Sequence, residues 1–206
     1  LYSSLVDIYK KYKFFQKGKK KQFIFVGRLV KVKNLERLID AFNSITVNKE
    51  EWKLIIVGNG DLKFKKSQLG NNIMLIKGLP PSKLSILYRK SKFFILASHK
   101  DHWPLVVHEA ALSGCFLLLS NGVGNIHEFA NKTNSIIFDP KSVNSIRNSF
   151  EKAMLLTNKE LYVADKESKK LGSIFNYKYS YIKFIKIINL CLDKKNNKSN
   201  KNNQYY

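Results

Sequence analysis

The sequence predicts an α/β fold built on a doubly wound parallel sheet, and two observations support this prediction. Short segments that are apolar at nearly every position recur along the chain, as in "QFIFVG" (22–27) and "KLIIVG" (53–58). Between them lie segments whose apolar residues repeat at helical spacing, as in "NLERLIDAFNSI" (34–45). Strands that are apolar throughout are buried on both faces, and helices between successive parallel strands supply that cover.

In chain order, the alternation continues to about residue 139. Further strands are predicted at 72–78, 93–98, 116–120 and 135–139. The helices between them are predicted at 81–90, which opens with a proline, and at about 104–113. After residue 140 the strands stop, and helical spacing predicts helices near 142–156 and 159–171.

The two ends of the chain differ from this central domain, which we place at 22–175. Residues 1–21 are expected to form a linker, because they end in a run of lysines. The stretch 176–192 predicts an amphipathic terminal helix. Its apolar stripe consists of Tyr181, Phe184, Ile185 and Ile188. The polar, low-complexity tail 193–206 is expected to be disordered.

The composition narrows the class of protein. The first twenty residues lack a signal-peptide pattern, and the longest apolar runs are too short to span a bilayer. Cys115 and Cys191 lie far apart, without metal-ligand spacing, as is typical of buried thiols in a reducing compartment. We therefore expect a soluble, cytoplasmic protein.

The net charge of +22 suggests two further partners. Lysine runs near both ends would suit an anionic membrane surface, which extends the expectation to a peripheral location at the inner face of the membrane. Nucleic acid is the alternative partner. The aromatic residues count against it, because they fall on apolar periodic positions rather than among the basic residues. Solvated faces and tails would also account for much of the charge.

Ligands of open parallel sheets bind beyond the carboxyl ends of the strands, so the residues after each strand are the candidates for a site. Gly27 and Arg28 follow the first strand, and Lys33 precedes the next helix. Two cations beside a helix start suit a diphosphate. In a chain this rich in lysine, the alternative explanation is that they are exposed loop charges.

The second and third strands end in loops with little side-chain chemistry. Gly58 lies in "VGNGD" (57–61), a turn of small residues that would let a ligand approach the backbone. This turn is not G-x-G-x-x-G, and the chain has no P-loop, so neither a dinucleotide site nor a Walker site is indicated. The loop "KGLPPSKL" (77–84) is stiffened by two prolines.

The fourth strand leads into "DHWPLVVHEA" (101–110). Pro104 is predicted as the first helical residue, which would leave the amides of Leu105 and Val106 free to face a phosphate. Asp101 precedes them. Glu109 lies on an otherwise apolar helix, where a carboxylate must find a partner, shift its pKa or face a ligand. Pairing with a lysine and capping of a neighbouring loop are the structural alternatives.

The fifth strand leads into "SNGVGNIHEF" (120–129), a loop with glycines that runs into a possible helix bearing Glu128. The five loops would converge on one edge of one sheet. Cations, carboxylates and a helix start at that edge fit a nucleotide diphosphate attached to a group rich in hydroxyls.

These segments, in their order and spacing, resemble the C-terminal half of GT-B glycosyltransferases of family 4, which are retaining enzymes that use nucleotide-diphospho-sugars. The resemblance covers roughly 22–155 and implies a Rossmann-like donor-binding domain. The terminal helix is similar to the element that crosses back to the other domain in that fold. In that family an N-terminal domain supplies acceptor binding, and we expect residues 22–206 to correspond to the half without it.

The resemblance implies roles for the cationic and acidic residues. Arg28 and Lys33 match the family's Arg and Lys, which hold the donor diphosphate and stabilise the leaving group. Asp101 matches the first acid of the E-x7-E motif, which contacts the transferred sugar. Glu109 matches the second, which hydrogen-bonds the ribose. We therefore assign catalytic roles to Arg28, Lys33 and Asp101.

The remaining donor contacts implied by the resemblance come from the backbone. The amides of Leu105 and Val106 fit the turn that faces the diphosphate, and the backbone from Lys77 to Leu79 would lie near the base. Gly27 and Gly58 complete the donor-binding set.

The resemblance implies transfer of a sugar from a UDP- or GDP-sugar to a glycan or a lipid-linked acceptor, in the synthesis of a cell-surface polysaccharide or glycolipid. No cofactor or metal is expected, in agreement with the lack of a D-x-D pattern in the sequence. Three positions depart from the family: Asp101 replaces Glu, while Pro104 and Asn125 replace glycines. A catalytically inactive GT-B fragment that binds a nucleotide or a partner is the alternative function.

Overall fold

The computed structural model describes residues 18–46, 49–175 and seven positions further on, which are 179, 181, 182, 185, 186, 188 and 189. The predicted linker, except for its last four residues, and the predicted tail 193–206 lie outside the described residues. The described part of the chain contains six strands and seven α-helices.

All six strands form one parallel sheet in the order β3-β2-β1-β4-β5-β6. The strands are β1 (Lys20–Val26), β2 (Lys53–Val57), β3 (Ile73–Ile76), β4 (Ser91–Leu96), β5 (Phe116–Ser120) and β6 (Ser135–Phe138). The order reverses between β1 and β4, which are neighbours in the sheet although two strands separate them in the chain. The α/β, doubly wound, Rossmann-like fold predicted from the sequence is confirmed.

The helices connect the strands and cover the sheet. They are α1 (Leu35–Asn43), α2 (Lys66–Leu69), α3 (Pro81–Lys90), α4 (Leu105–Leu112), α5 (Ile126–Phe129), α6 (Val143–Met154) and α7 (Asn158–Ile174). Helix α1 packs against α6, and α4 packs against α7 and the central strands. A 3-10 turn at Lys31–Lys33 precedes α1, and a second one covers Lys49–Glu51.

An aromatic cluster occupies the core beneath α1 and α6. Phe23 of β1 stacks on Phe93 of β4, with ring centroids 4.8 Å apart, and meets the edge of Phe150 of α6 at 4.7 Å. Phe42 of α1 packs against Phe150 at 5.3 Å. Aromatic side chains bury the largest areas in a core, so these contacts fix α1 and α6 on the sheet.

The helix boundaries follow local chemistry. In α1, the residues predicted by spacing to face the core, including Leu35, Leu38 and Ile39, are buried. Helix α7 begins with a capping box between Thr157 and Glu160, which satisfies amides at the helix start. Pro104 was expected as the first residue of α4 but is its N-cap, because its ψ of 112° is extended.

Three short helical segments were not predicted from the sequence. Helix α2 is four residues long, and the turns at Lys31–Lys33 and Lys49–Glu51 are three residues each. Segments of this length contain no full period of apolar residues, so pattern analysis has nothing to detect.

The seven described positions after residue 178 are helical, in agreement with the predicted terminal helix. Tyr181 is 64% exposed, and Ile185 and Ile188 are each 37% exposed. Phe184, the other residue of the predicted stripe, lies outside the described residues. No helix in the described part of the chain combines the length and the apolar character needed to cross a bilayer.

Candidate functional site

The loops after β1 and β2 lie against each other at the carboxyl edge of the sheet. Leu29 donates its amide to the Asn59 carbonyl (2.9 Å), and Leu62 donates to the Leu29 carbonyl (3.0 Å). A Cβ at Gly58 would lie 1.8 Å from the Gly27 carbonyl oxygen. The close approach of the neighbouring loop therefore explains why position 58 is glycine, and a role for Gly58 toward a ligand stays a prediction.

The loop after β3 is tied to the same region. The Gly78 amide donates to Asn59 Oδ1 at 3.1 Å. Lys77 is exposed, whereas Leu79 is partly buried and packs against the core. The backbone from Lys77 to Leu79, which is expected to lie near the base of the nucleotide, is thus held by the side chain of Asn59 from the neighbouring loop.

The loops after β4 and β5 form a second joined pair. Asp101 donates its amide to the Gly122 carbonyl (2.9 Å) and accepts from the Gly124 amide (2.8 Å). A Cβ at Gly124 would lie 2.1 Å from the His102 carbonyl oxygen. Asn125, which replaces a glycine of the family pattern, donates from Nδ2 to the Pro104 carbonyl at 3.1 Å. The loop after β5 thereby fixes the start of α4.

Lys33 and Asp101 connect the two pairs of loops. The Lys33 ammonium donates to Asp101 Oδ2, and their side chains are only 14% and 18% exposed. The structure therefore brings together two residues that are 68 positions apart in the chain, at the point where the strand order reverses. The prediction placed both at this edge but did not foresee that they pair with each other.

Arg28 lies on the solvent-facing side of the first loop. It is exposed, and none of the described residues forms an ion pair with its guanidinium. A guanidinium suits a phosphate, which it can bind with two parallel hydrogen bonds.

The start of α4 provides backbone donors beside the ion pair. Pro104 is the N-cap, and the Val107 amide donates to its carbonyl at 3.1 Å. The amides of Leu105 and Val106 precede the first bond of the helix, so helix geometry gives them no partner within α4. Together with the helix dipole, these amides favour a negative charge at this point.

Glu109 has a partner that the sequence did not reveal. The Tyr88 hydroxyl, from α3, donates to Glu109 Oε2 at 3.1 Å. Within the described residues Glu109 forms no ion pair with a lysine or arginine, so the expected structural alternative of a lysine partner does not occur there. Burial raises the pKa of Glu109 to about 7, and the hydrogen bond from Tyr88 partly opposes that rise.

Two histidines near Asp101 and Glu109 have structural partners. His108 is buried, stacks on Phe129 with ring centroids 4.8 Å apart, and bonds to the Gly172 carbonyl through Nε2 at 2.7 Å. Since a carbonyl only accepts, Nε2 carries the proton, and burial lowers the pKa of His108. His99 Nε2 lies 3.3 Å from Arg37 Nη1 and must accept, because arginine only donates. In the described ranges, no three His, Cys, Asp or Glu side chains are grouped so that they could hold a metal ion.

Two residues of this site were missed by the sequence analysis. Tyr88 holds Glu109, and Asn59 holds the loop after β3. Asn125 was noted as a departure from the family, but its contact with the start of α4 was not predicted. Asn59 lies between two glycines of a turn, and this position could have identified it. Tyr88 carries no such signal, because it occupies an apolar position of a helix.

A parallel sheet of this strand order, with its loops gathered at the reversal point, defines a Rossmann-like domain. The model of the family "Glycosyl transferases group 1" matches residues 9–170, and the chain belongs to this family. In sequence, the chain is 35% identical over 98 residues to the amylovoran biosynthesis glycosyltransferase AmsD of Erwinia amylovora. That match covers 45% of this chain and 27% of AmsD, so the chain spans only part of the relative's length.

Solved structures show the same fold. The C-terminal domain of a glycosyl transferase group 1 family protein (LpcC) from Francisella tularensis matches with a TM-score of 0.65 at 21% identity. The match covers 82% of this chain and 91% of that domain. The pneumococcal O-GlcNAc transferase GtfA, solved in complex with UDP and GlcNAc, matches with a TM-score of 0.65 at 20% identity. Here the match covers 86% of this chain but 37% of GtfA.

Proposed function

We propose that this chain is the donor-binding half of a retaining glycosyltransferase and binds a UDP- or GDP-sugar beyond the carboxyl ends of β1 and β4. The observation that carries this proposal is the contact between Lys33 and Asp101, which joins the loops of these two strands. The loop that contains Asp101 leads directly into α4, whose first residue is Leu105. Cations, a carboxylate and free amides would therefore face one ligand.

The diphosphate is bound by Arg28, Lys33 and the amides of Leu105 and Val106. Departure of the nucleoside diphosphate places negative charge on the β-phosphate. A guanidinium, an ammonium and a helix start held in place before the reaction stabilise that charge without reorganisation. Lys33 is held in this position by Asp101 and lies over Gly27, since its Cε is 3.9 Å from the point that a Cβ there would take.

The sugar and the nucleoside are bound on either side of the diphosphate. Asp101 accepts a hydrogen bond from a hydroxyl of the transferred sugar, and Lys33 orients the carboxylate. Glu109 accepts hydrogen bonds from the ribose hydroxyls. The backbone from Lys77 to Leu79 lies against the base, where the bond from Gly78 to Asn59 holds it.

The relatives support the choice of substrates. GtfA is described in complex with UDP and GlcNAc, and AmsD is named for amylovoran biosynthesis. We propose a nucleotide-sugar donor, a glycan or lipid-linked acceptor bound by an N-terminal domain, and a reaction without a metal. The role lies in the synthesis of a cell-surface polysaccharide or glycolipid.

Titration of the chain with UDP, GDP and ADP tests the proposal. In the presence of EDTA, at least one of the three should bind. Arg28→Ala and Lys33→Ala should each weaken binding about tenfold or more, because each removes a charge-assisted hydrogen bond to phosphate. Lys152→Ala is the matched control, since this lysine is exposed on α6, away from the site.

Two results would contradict the proposal. One is the absence of binding by any of the three nucleotides. The other is equal affinity in the wild type, Arg28→Ala, Lys33→Ala and Lys152→Ala. Tight RNA binding at physiological salt without nucleotide binding would instead favour the nucleic-acid alternative.

The large positive charge supports a second property of the same enzyme. We propose that the chain works in the cytoplasm and associates with the anionic inner face of the membrane, because lysines attract anionic headgroups. The chain should sediment with phosphatidylglycerol vesicles at low salt and not with phosphatidylcholine vesicles. Equal behaviour with both vesicles would remove this part of the proposal.

A further inference from the structure

Tyr88 is held in place from several sides in the last turn of α3. It is completely buried. Its ring packs against Phe94 of β4, with centroids 5.9 Å apart and planes tilted by 54°. Its carbonyl accepts from Cys115 Sγ at 3.2 Å and from the Ser91 amide. The ring therefore has little freedom to move its hydroxyl.

The hydroxyl of this fixed ring reaches the carboxylate of Glu109. It donates to Oε2 at 3.1 Å, from a different helix and 21 positions earlier in the chain. The neighbours of Glu109 in α4, including Val107 and Ala110, are buried, so water solvates this carboxylate poorly. In the described part of the chain no lysine or arginine forms an ion pair with it. The phenol is thus a neutral donor that stabilises the ionised form.

We propose that Tyr88 is a positioning residue that keeps Glu109 oriented and ionised as the acceptor for the ribose hydroxyls of the nucleotide. This inference rests on the proposed donor-binding function and adds a residue to it. With Oε2 engaged by the phenol, Oε1 accepts from the ribose. Only an ionised carboxylate can accept with all of its lone pairs, so losing the phenol weakens the ribose contact as well.

The expected pH dependence follows from the same geometry. Burial raises the pKa of Glu109 to about 7, and the Tyr88 hydrogen bond holds it below the value that burial alone would give. Removing the phenol oxygen therefore moves the ionisation of Glu109 to higher pH. Near neutral pH, a larger fraction of Glu109 is then protonated and a poorer acceptor.

The test compares Tyr88→Phe with the wild type across pH 6 to 9, using UDP or GDP, whichever binds the wild type, and analogues lacking the 2′ or 3′ hydroxyl. Tyr88→Phe should weaken binding of the complete nucleotide about fivefold at pH 7, the size of one hydrogen bond. The midpoint of the pH profile should move upward, and discrimination against the deoxy analogues should shrink. Tyr162→Phe is the matched control, because Tyr162 is 57% exposed.

A second variant tests the role of the hydroxyl without removing it from the buried ring, so the result does not depend on how well Tyr88→Phe folds. Incorporation of 3-fluorotyrosine at position 88 keeps the packing and makes the phenol a stronger donor. The midpoint of Glu109 ionisation, followed by carboxyl carbon NMR without nucleotide, should then move downward. A ring that only fills space would leave this midpoint unchanged.

The outcomes separate the two proposals. If the wild type binds none of the nucleotides, the donor-binding function fails, and the inference about Tyr88 fails with it. If the wild type binds while Tyr88→Phe keeps the same affinity, pH midpoint and discrimination, only the role of Tyr88 is overturned. An unchanged Glu109 midpoint in the fluorotyrosine variant would overturn it as well.

Discussion

Replacing Glu109 with glutamine should make the chain more stable at alkaline pH while it weakens nucleotide binding. Burial raises the pKa of Glu109 from its ordinary value of 4.5 to about 7. The folded state therefore holds a proton that the unfolded state releases between these two values. Stability is greatest below pH 4.5, falls as the pH rises to about 7, and is constant for this group above pH 7.

The magnitude follows from this shift. A pKa rise of about 2.5 units corresponds to about 3 kcal/mol at 1.36 kcal/mol per unit. Because Glu109 keeps partial contact with solvent, we expect about 1–2 kcal/mol. Glutamine is neutral at every pH and keeps an amide that can bond to Tyr88. As the pH rises from 5 to 8, the wild type should thus lose about 1–2 kcal/mol of unfolding free energy that Glu109→Gln does not lose.

Urea unfolding of the wild type and Glu109→Gln at pH 5 and pH 8 measures this difference. Glu50→Gln is a suitable control for charge removal, since Glu50 is exposed. The reasoning is refuted if the difference in unfolding free energy between Glu109→Gln and the wild type is the same at pH 5 and at pH 8. Such a result would mean that burial does not disfavour the charged form of Glu109.

Two further predictions concern the loops of the site. Asp101→Asn should bind nucleoside diphosphates a few-fold more tightly, because it removes a negative charge beside Lys33. Calorimetry measures this affinity, and weaker nucleotide binding would contradict the prediction. The same variant should fail to support sugar transfer in an assay in which an N-terminal domain is supplied. Gly58→Ala should destabilise the chain by about 2 kcal/mol or more, because the new Cβ would lie 1.8 Å from the Gly27 carbonyl oxygen; an unfolding midpoint equal to that of Lys53→Ala would show that the loop yields instead.

The fold was predictable from the sequence because it depends on burial patterns that each segment carries by itself. The buried strands β2, β4 and β5 are apolar at nearly every position, and α1 shows its buried stripe directly. Their alternation predicts the parallel sheet. The end of a helix is less predictable: Pro104 suits either the N-cap or the first helical position, and the contact of its carbonyl with Asn125 depends on a distant loop.

The candidate site was predictable only in outline. The carboxyl ends of parallel strands share one edge, so Lys33 and Asp101 could be assigned to the same region from the sequence. Their direct pairing depends on how two loops pack. The partner of Glu109 could not be predicted, because Tyr88 lies at an apolar position of another helix and spacing within one segment says nothing about contacts between segments.

The central claim is that a pyrophosphate binds between the loop after β1 and the start of α4. Backbone NMR of the labelled chain during titration with UDP or GDP tests it most directly. The amides of Leu105, Val106 and the residues from Arg28 to Lys33 should show the largest shifts, and Lys33→Ala should strongly reduce them at the same subsaturating nucleotide concentration. Shifts confined to the opposite edge of the sheet, around Lys20 and Lys53, or shifts of undiminished size in Lys33→Ala, would contradict the claim.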